Sequence, residues 1–438
     1  MAISPSTPTG AIDPDEPYPI SRRYAWIAFV MIFALMLSDY LSRQVINAVF
    51  PFLKTDWSLS DTQLGMLVSV VPLTIGLTAV PISIVADRVG RVRSVTVMAL
   101  MWALATVACG LAEGFTALLI ARALVGLGEA GYGSTGAAIL TRAFPARLHA
   151  TVMGSYLAAG IVGSVLGIVL GGAIAQSFGW HMAFLAMGAF GLVVTALFPV
   201  LVKEPPPLES TQTAPIPIGR VLGNLATTRT YVLIALATAL CMFVQTAYIA
   251  WLPSYLNRFF GLDPARAAYA TGLLLLCMSI GMVAGGMVVD RVSRHDPVNR
   301  LRTIMIYCLI FGSSLIGALS LEPGIPQFIL IGVGMFLSSS FLGPNMAVAA
   351  DVTPEANHAT TFAVMSLVVM LLGAAPGPLV TGKLADLLGL DTALLIVPVG
   401  ALCGALLYFL ASRTYARDRA TLRSECSKPI NAEEGEEK

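Results

Sequence analysis

Two seven-residue stretches decide how this chain is built: VADRVGR at 85–91 and VVDRVSR at 288–294. They stand 203 positions apart, and each closes an apolar run with Asp, Arg and a second Arg in the same register. A second pair, GAIAQSFG at 172–179 and GKLADLLG at 382–389, repeats at a shift of 210. Two independent markers at nearly one offset read as an internal duplication.

What is duplicated follows from composition. The 438 residues are 56% hydrophobic and only 12% charged, with a mean hydropathy of +0.80, whereas water-soluble domains carry about 25% charged residues. Apolar runs of membrane-spanning length occupy 24–50, 62–86, 92–112, 116–144, 150–176, 183–202, 230–257, 266–289, 303–321, 326–350, 360–385 and 392–411. The longest polar interruption, Lys203 to Thr230, follows the sixth run. The expected fold is therefore an all-α membrane protein of twelve transmembrane helices in two six-helix repeats, run n matching run n+6. Its expected parts are a disordered segment 1–23, a bundle 24–202, a cytoplasmic linker 203–229, a second bundle 230–411 and a disordered tail 412–438.

Orientation comes from Lys and Arg. With both termini inside, inner segments hold 20 of the 26 basic residues and outer loops hold Lys54, Arg258, Arg266 and Lys383, so the termini are placed in the cytoplasm of a multi-pass cell membrane protein, expected in a bacterial inner membrane. The first 23 residues lack an apolar core of a signal peptide. The net charge of +1 and scattered basic residues argue against a nucleic-acid partner. No CxxC pair or Cys/His cluster suggests a metal.

The two remaining basic residues lie inside the membrane. Asp39 and Arg43 fall in the first run, Arg122 and Glu129 in the fourth, within RALVGLGEAGYG (122–133). Each costs at least about 2.5–3.5 kcal/mol at a helix centre facing lipid, so each must face protein or a water-filled cavity. Spacings of four and seven residues put each pair on one face of its helix. At 1.5 Å per residue both acids stand near mid-membrane, with Arg43 about 6 Å and Arg122 roughly 10 Å further out. A buried ion pair breaks even at best against apolar packing, so four such charges argue for function; the alternative, pairs that merely hold two helices together, stands beside it. The second half has no mid-depth charge and offers Gln245, Tyr248, Trp251, Tyr255 and Asn345. With Arg43, Arg122 and Tyr132 these are the expected substrate contacts, and Glu129 and Asp39 the expected proton sites. Asp87, Arg88 and Arg91, with Asp290 and Arg291 in the second copy, are either topogenic charges or a cytoplasmic gate.

The duplicated DRVGR stretch, the twelve spans and the central linker resemble the major facilitator superfamily over about residues 22 to 412. RALVGLGEAGYG together with YLSRQVINAVFPFLKTDWSLSDTQLGML (40–67) resembles its spinster-like and organic-anion-symporter branch. The resemblance implies transport of lysolipids, sphingolipids or small carboxylates, often with protons, with Arg43 and Arg122 holding the anion and Glu129 taking the proton. The chain departs from that branch at Ser42, where an Asp is usual, and at Asp39, where an Asn is usual; the carboxylate has moved three residues along the same face.

The expected function is thus proton-coupled transport of an amphipathic organic anion by alternating access, either lipid-like or a carboxylate. Uptake of a small aromatic or sugar acid and a transporter-like sensor are the alternatives. No GxxxxGK[ST] stretch offers an ATP engine, and His149, His181, His295 and His358 sit at run ends with no HExxH spacing, so an enzyme is not expected. The proton gradient is the expected energy source, with no cofactor and no metal, and the chain is expected to act as a monomer.

Overall fold

The computed structural model describes residues 20–203 and 218–426. Among them every regular element is a helix, and twelve cross a membrane by length and composition: α1 Arg22–Trp57, α2 Asp61–Ser83, α3 Arg91–Gly110, α4 Phe115–Ala143, α5 Arg147–Phe178, α6 Trp180–Leu201, α7 Arg229–Phe260, α8 Pro264–Val292, α9 Val298–Leu319, α10 Ile325–Asp351, α11 Glu355–Leu388 and α12 Leu390–Leu422. Their outward faces stay apolar: Leu77, Phe178, Val200 and Ile325 are all exposed. Only lipid makes that surface stable, and only a helix satisfies its own backbone there.

The duplication is visible in the irregularities. Helix α4 breaks after Glu129 and resumes at Tyr132; α10 breaks after Leu337 and resumes at Leu342. Glycines cause the first break and also let α4 approach its neighbours. A Cβ on Gly126 would stand 2.7 Å from the Val71 carbonyl oxygen, and one on Gly128 would stand 2.6 Å from the Trp102 amide nitrogen. These close approaches turn the charged face of α4 toward α1. Gly128→Ala pushes against backbone and should destabilise by about 1–3 kcal/mol, seen as a lower melting temperature in detergent. Gly133→Ala, with nothing within 4 Å, should leave that temperature unchanged.

The halves meet along α2 with α11 and α5 with α8. Gly65 lies against Pro378, Gly382 against Asp61, Gly172 against Ala268 and Gly272 against Val169, all toward the helix ends that the Lys and Arg distribution is expected to place outside. Gly76 meets Leu371 deeper in the membrane, beside a π-helical turn at Met370–Ala374 that interrupts α11. The outer side is therefore sealed between the halves.

Two boundaries differ from the sequence reading. The segment expected to be a disordered tail from 412 continues as helix to Cys426. It is held because Tyr415 is buried and donates to Asp351 at 2.7 Å, while Asp418 accepts the Thr230 N–H at 2.8 Å, one of the free amides that open α7. The linker also contains a helix, Ile218–Thr227, which buries Val221 and Leu225. The disorder expected in 1–19 and 427–438, and the linker residues 204–217, fall outside the described residues.

Candidate anion and proton site

Helices α1 and α4 meet through their charged faces, and Arg43 is the centre of the contact. Arg43 Nη2 donates to Glu129 Oε2 at 2.6 Å and lies 3.6 Å from Asp39 Oδ1. One guanidinium nitrogen thus serves two carboxylates, one turn away on its own helix and across on α4. The guanidinium carbon also sits 5.0 Å from the Tyr40 ring centre.

Arg122 does not join this cluster as an ion pair. Its Nε donates to the Leu67 carbonyl at 3.1 Å, Nη1 to the Ser42 carbonyl at 3.1 Å and Nη2 to the Arg43 carbonyl at 3.3 Å. The side chain therefore ties α4 to α1 and α2 through backbone oxygens, sealed at 1% exposure. Five donors in a fixed fork suit such a three-point clamp. The four charges differ in access: Arg43 keeps 22% of its side chain exposed, against 5% for Asp39 and 0% for Glu129. Glu129 Oε1, Asp39 Oδ1 and Arg43 Nε have no hydrogen-bond partner although buried. Buried polar atoms in native proteins are nearly always paired, so this cluster has spare capacity for a proton or an anion.

The duplication supplies an internal comparison. Pro51 in α1 and Pro253 in α7 give a shift of 202, at which Arg43 falls on Gln245. The shift of 210 puts Glu129 on Ser339. In the structure Gln245 donates to the Ser338 carbonyl at 3.1 Å and to Ser339 Oγ. The ion pair of one half is thus a neutral hydrogen bond in the other, at the same place in the fold.

The remaining expected contacts are not brought to Arg43. Tyr132 donates to the Ile32 carbonyl at 2.8 Å, Tyr248 to the Leu394 carbonyl at 2.8 Å, and Trp251 Nε1 to the Pro378 carbonyl at 3.0 Å. Tyr255 accepts from Gln327 at 2.9 Å, and Asn345 accepts from Tyr408 at 3.2 Å. All five are buried at 3% or less. Aromatic and amide side chains in an apolar bundle need a partner for their polar ends, and neighbouring helices provide it. Trp251 packs on Phe50 across the halves, ring centres 5.1 Å apart, as part of the outer seal. Of the gate candidates, Arg91 Nη1 donates to the Ala138 carbonyl at 3.4 Å, while Asp290 and Arg291 are exposed. The side chains of Asp87 and Arg88 fall outside the described set.

Sequence reasoning missed one cluster. At the outer end Asp61 accepts from Arg258 through both oxygens, at 2.8 and 2.7 Å, and from Lys54 at 2.6 Å. Asp386 accepts the Asp61 and Thr62 amides, each at 2.8 Å. The one available signal was that Lys54 and Arg258 are two of only four outer basic residues.

Residues 32–371 match the Major Facilitator Superfamily profile. An MFS-type efflux pump of Mycolicibacterium smegmatis is 25% identical over 94% of this chain and 98% of its own length. A hexuronate transporter of Bacillus subtilis is 26% identical over 82% of this chain and 88% of its own. A bacterial homologue of the human lysosomal transporter spinster, crystallised inward-facing and unoccupied, superposes with a TM-score of 0.83 at 24% identity, over 91% of this chain and 99% of that one.

Proposed function

This chain belongs to the Major Facilitator Superfamily, as a multi-pass membrane transporter of the spinster-like and acid-sugar type, and from that premise we propose that it moves an organic anion by alternating access, coupled to protons. The observation that carries the reading is the access of Arg43: it is the most exposed of the four mid-membrane charges, and two resident carboxylates hold it. An incoming anion competes with Glu129 for that guanidinium. Glu129, displaced into a sealed position with Oε1 already unpaired, then takes a proton, so that anion and proton bind together. Asp39 is the second carboxylate able to do so.

The relative that transports hexuronates favours a small hydroxy-carboxylate as cargo. A lipid-like anion is the second reading, favoured by an apolar groove of about 310 Å³ between α2, α4 and α11, lined by Met66, Leu73, Leu119, Leu371 and Leu379. Proteoliposomes under an imposed proton gradient, acid outside, separate the two when offered radiolabelled D-glucuronate or a lysophospholipid. Accumulation of either above its external concentration, abolished by a protonophore, is the expected result. Accumulation that ignores the protonophore removes the proton coupling, and none of either anion removes the reading.

A further inference from the structure

The outer cluster does more than close the seal. Asp61 and Arg258 make a fork-to-fork contact in which both carboxylate oxygens meet both terminal guanidinium nitrogens, the strongest geometry for recognising a carboxylate. Lys54 adds a third donor to Oδ1 at 2.6 Å. Beside them lies a cavity of about 550 Å³ lined by Lys54, Thr55, Asn257 and Arg258 with Pro51 and Phe52. Both charged groups in that lining are cations, and Thr55 and Asn257 add polar surface.

The two partners of Asp61 belong to different halves. Lys54 on α1 moves with Asp61 on α2, whereas Arg258 on α7 belongs to the other half. When the halves part on the outer side, Lys54 can keep Asp61 but Arg258 cannot. It would be left with only the Trp251 ring, 5.9 Å away, and a guanidinium stripped of its bidentate partner is costly. Asp386, on α11 in the same half as Arg258, loses the α2 amides it accepts when the halves part, so it is freed together with Arg258 and is the resident carboxylate an incoming anion must outcompete. Asp263 is taken up locally by Arg266 at 3.1 Å.

We propose that the outer mouth is a second carboxylate-binding site, where an organic carboxylate from outside takes the place of Asp61 on Arg258, with Lys54 beside it, and so releases the seal between the halves. The identity of that ligand as cargo rests on the organic-anion reading above; the site itself rests on the geometry of Asp61. A ligand that binds Arg258 only after Asp61 has left favours the outward-open state by its whole binding free energy at that site.

The test reads the seal rather than transport. Ser69, 5% exposed, lies under the seal on α2, where its Oγ accepts the Leu379 N–H of the other half at 3.1 Å. In a Ser69→Cys reporter reconstituted in liposomes, alkylation from outside by a charged, membrane-impermeant maleimide, measured by mass spectrometry on that one peptide, reports opening despite the native cysteines. Replacing chloride by D-glucuronate at constant ionic strength should raise the labelling rate about fivefold or more. Lys54→Gln in the reporter keeps the bidentate pair but removes a cation from the site, so half-maximal D-glucuronate should move to higher concentration. Arg258→Gln should label fast already and ignore D-glucuronate. Arg43→Gln should keep the response, because the outer site acts without the central one. No acceleration in the parent reporter, with fast labelling in Arg258→Gln, would leave Asp61 a simple latch and overturn the proposal. A response lost in Arg43→Gln but unchanged in Lys54→Gln would place the ligand at the centre and overturn it too. Faster labelling in a protein that accumulates no anion would leave the outer site standing and remove only the transport reading.

Discussion

An Arg43→Gln variant is expected to fold and reach the membrane yet bind organic anion at least about 30-fold more weakly, since truncating one partner of a desolvated charge contact costs about 2–5 kcal/mol. Arg43→Lys should fail as well, because an ammonium replaces the planar fork by a point charge. The readout is substrate-induced thermal stabilisation of the purified protein, compared with its melting temperature without substrate. Arg122 is the contrast. The sequence makes it the leading candidate for the head group, as the buried cation with no acid one turn away, but three of its five donors, one on each nitrogen, go to the carbonyls of Leu67, Ser42 and Arg43. Arg122→Gln leaves those oxygens short of a donor between three helices, so the melting temperature itself should fall. Normal anion affinity in Arg43→Gln, with lost affinity and unchanged stability in Arg122→Gln, would reverse the assignment.

The Glu129→Gln variant should bind anion at every pH tested and exchange it across the membrane, but should not concentrate it under a proton gradient. Gln stands in for the protonated acid: it offers no negative charge to compete for Arg43, so the anion finds the guanidinium free. In the parent, binding and protonation favour each other, and linkage requires the reciprocal effect to be equal. Parent affinity should therefore rise as pH falls, while the variant's affinity stays flat across the same range. Counterflow of labelled against unlabelled anion measures exchange, and net uptake with acid outside measures coupling. Net accumulation by Glu129→Gln equal to that of the parent would move the proton to Asp39, which shares Arg43 from 3.6 Å, and the same two assays on Asp39→Asn would then decide.

How much of this was legible beforehand differs by level. The spans, their number and the duplication were readable because bilayer thickness sets helix length and each chemical marker recurs along the chain. The paired charges were readable because an ionisable residue in an apolar run is costly wherever the helix points. The spacing of Asp39 to Arg43 and of Arg122 to Glu129 even gave the faces. Spacing along one helix does not, however, fix the rotation of that helix against its neighbours. Glycine contacts such as Gly126 on Val71 and Gly128 on Trp102 set that rotation, and so decided that Arg43 meets both acids while Arg122 meets only carbonyls. The same limit hid the partners of Tyr248, Trp251 and Tyr255, whose polar ends meet neighbouring helices. The outer cluster was least legible of all: Asp61 and Arg258 are 197 residues apart, look like ordinary loop-end charges in the sequence, and acquire their meaning only where two halves of the fold touch.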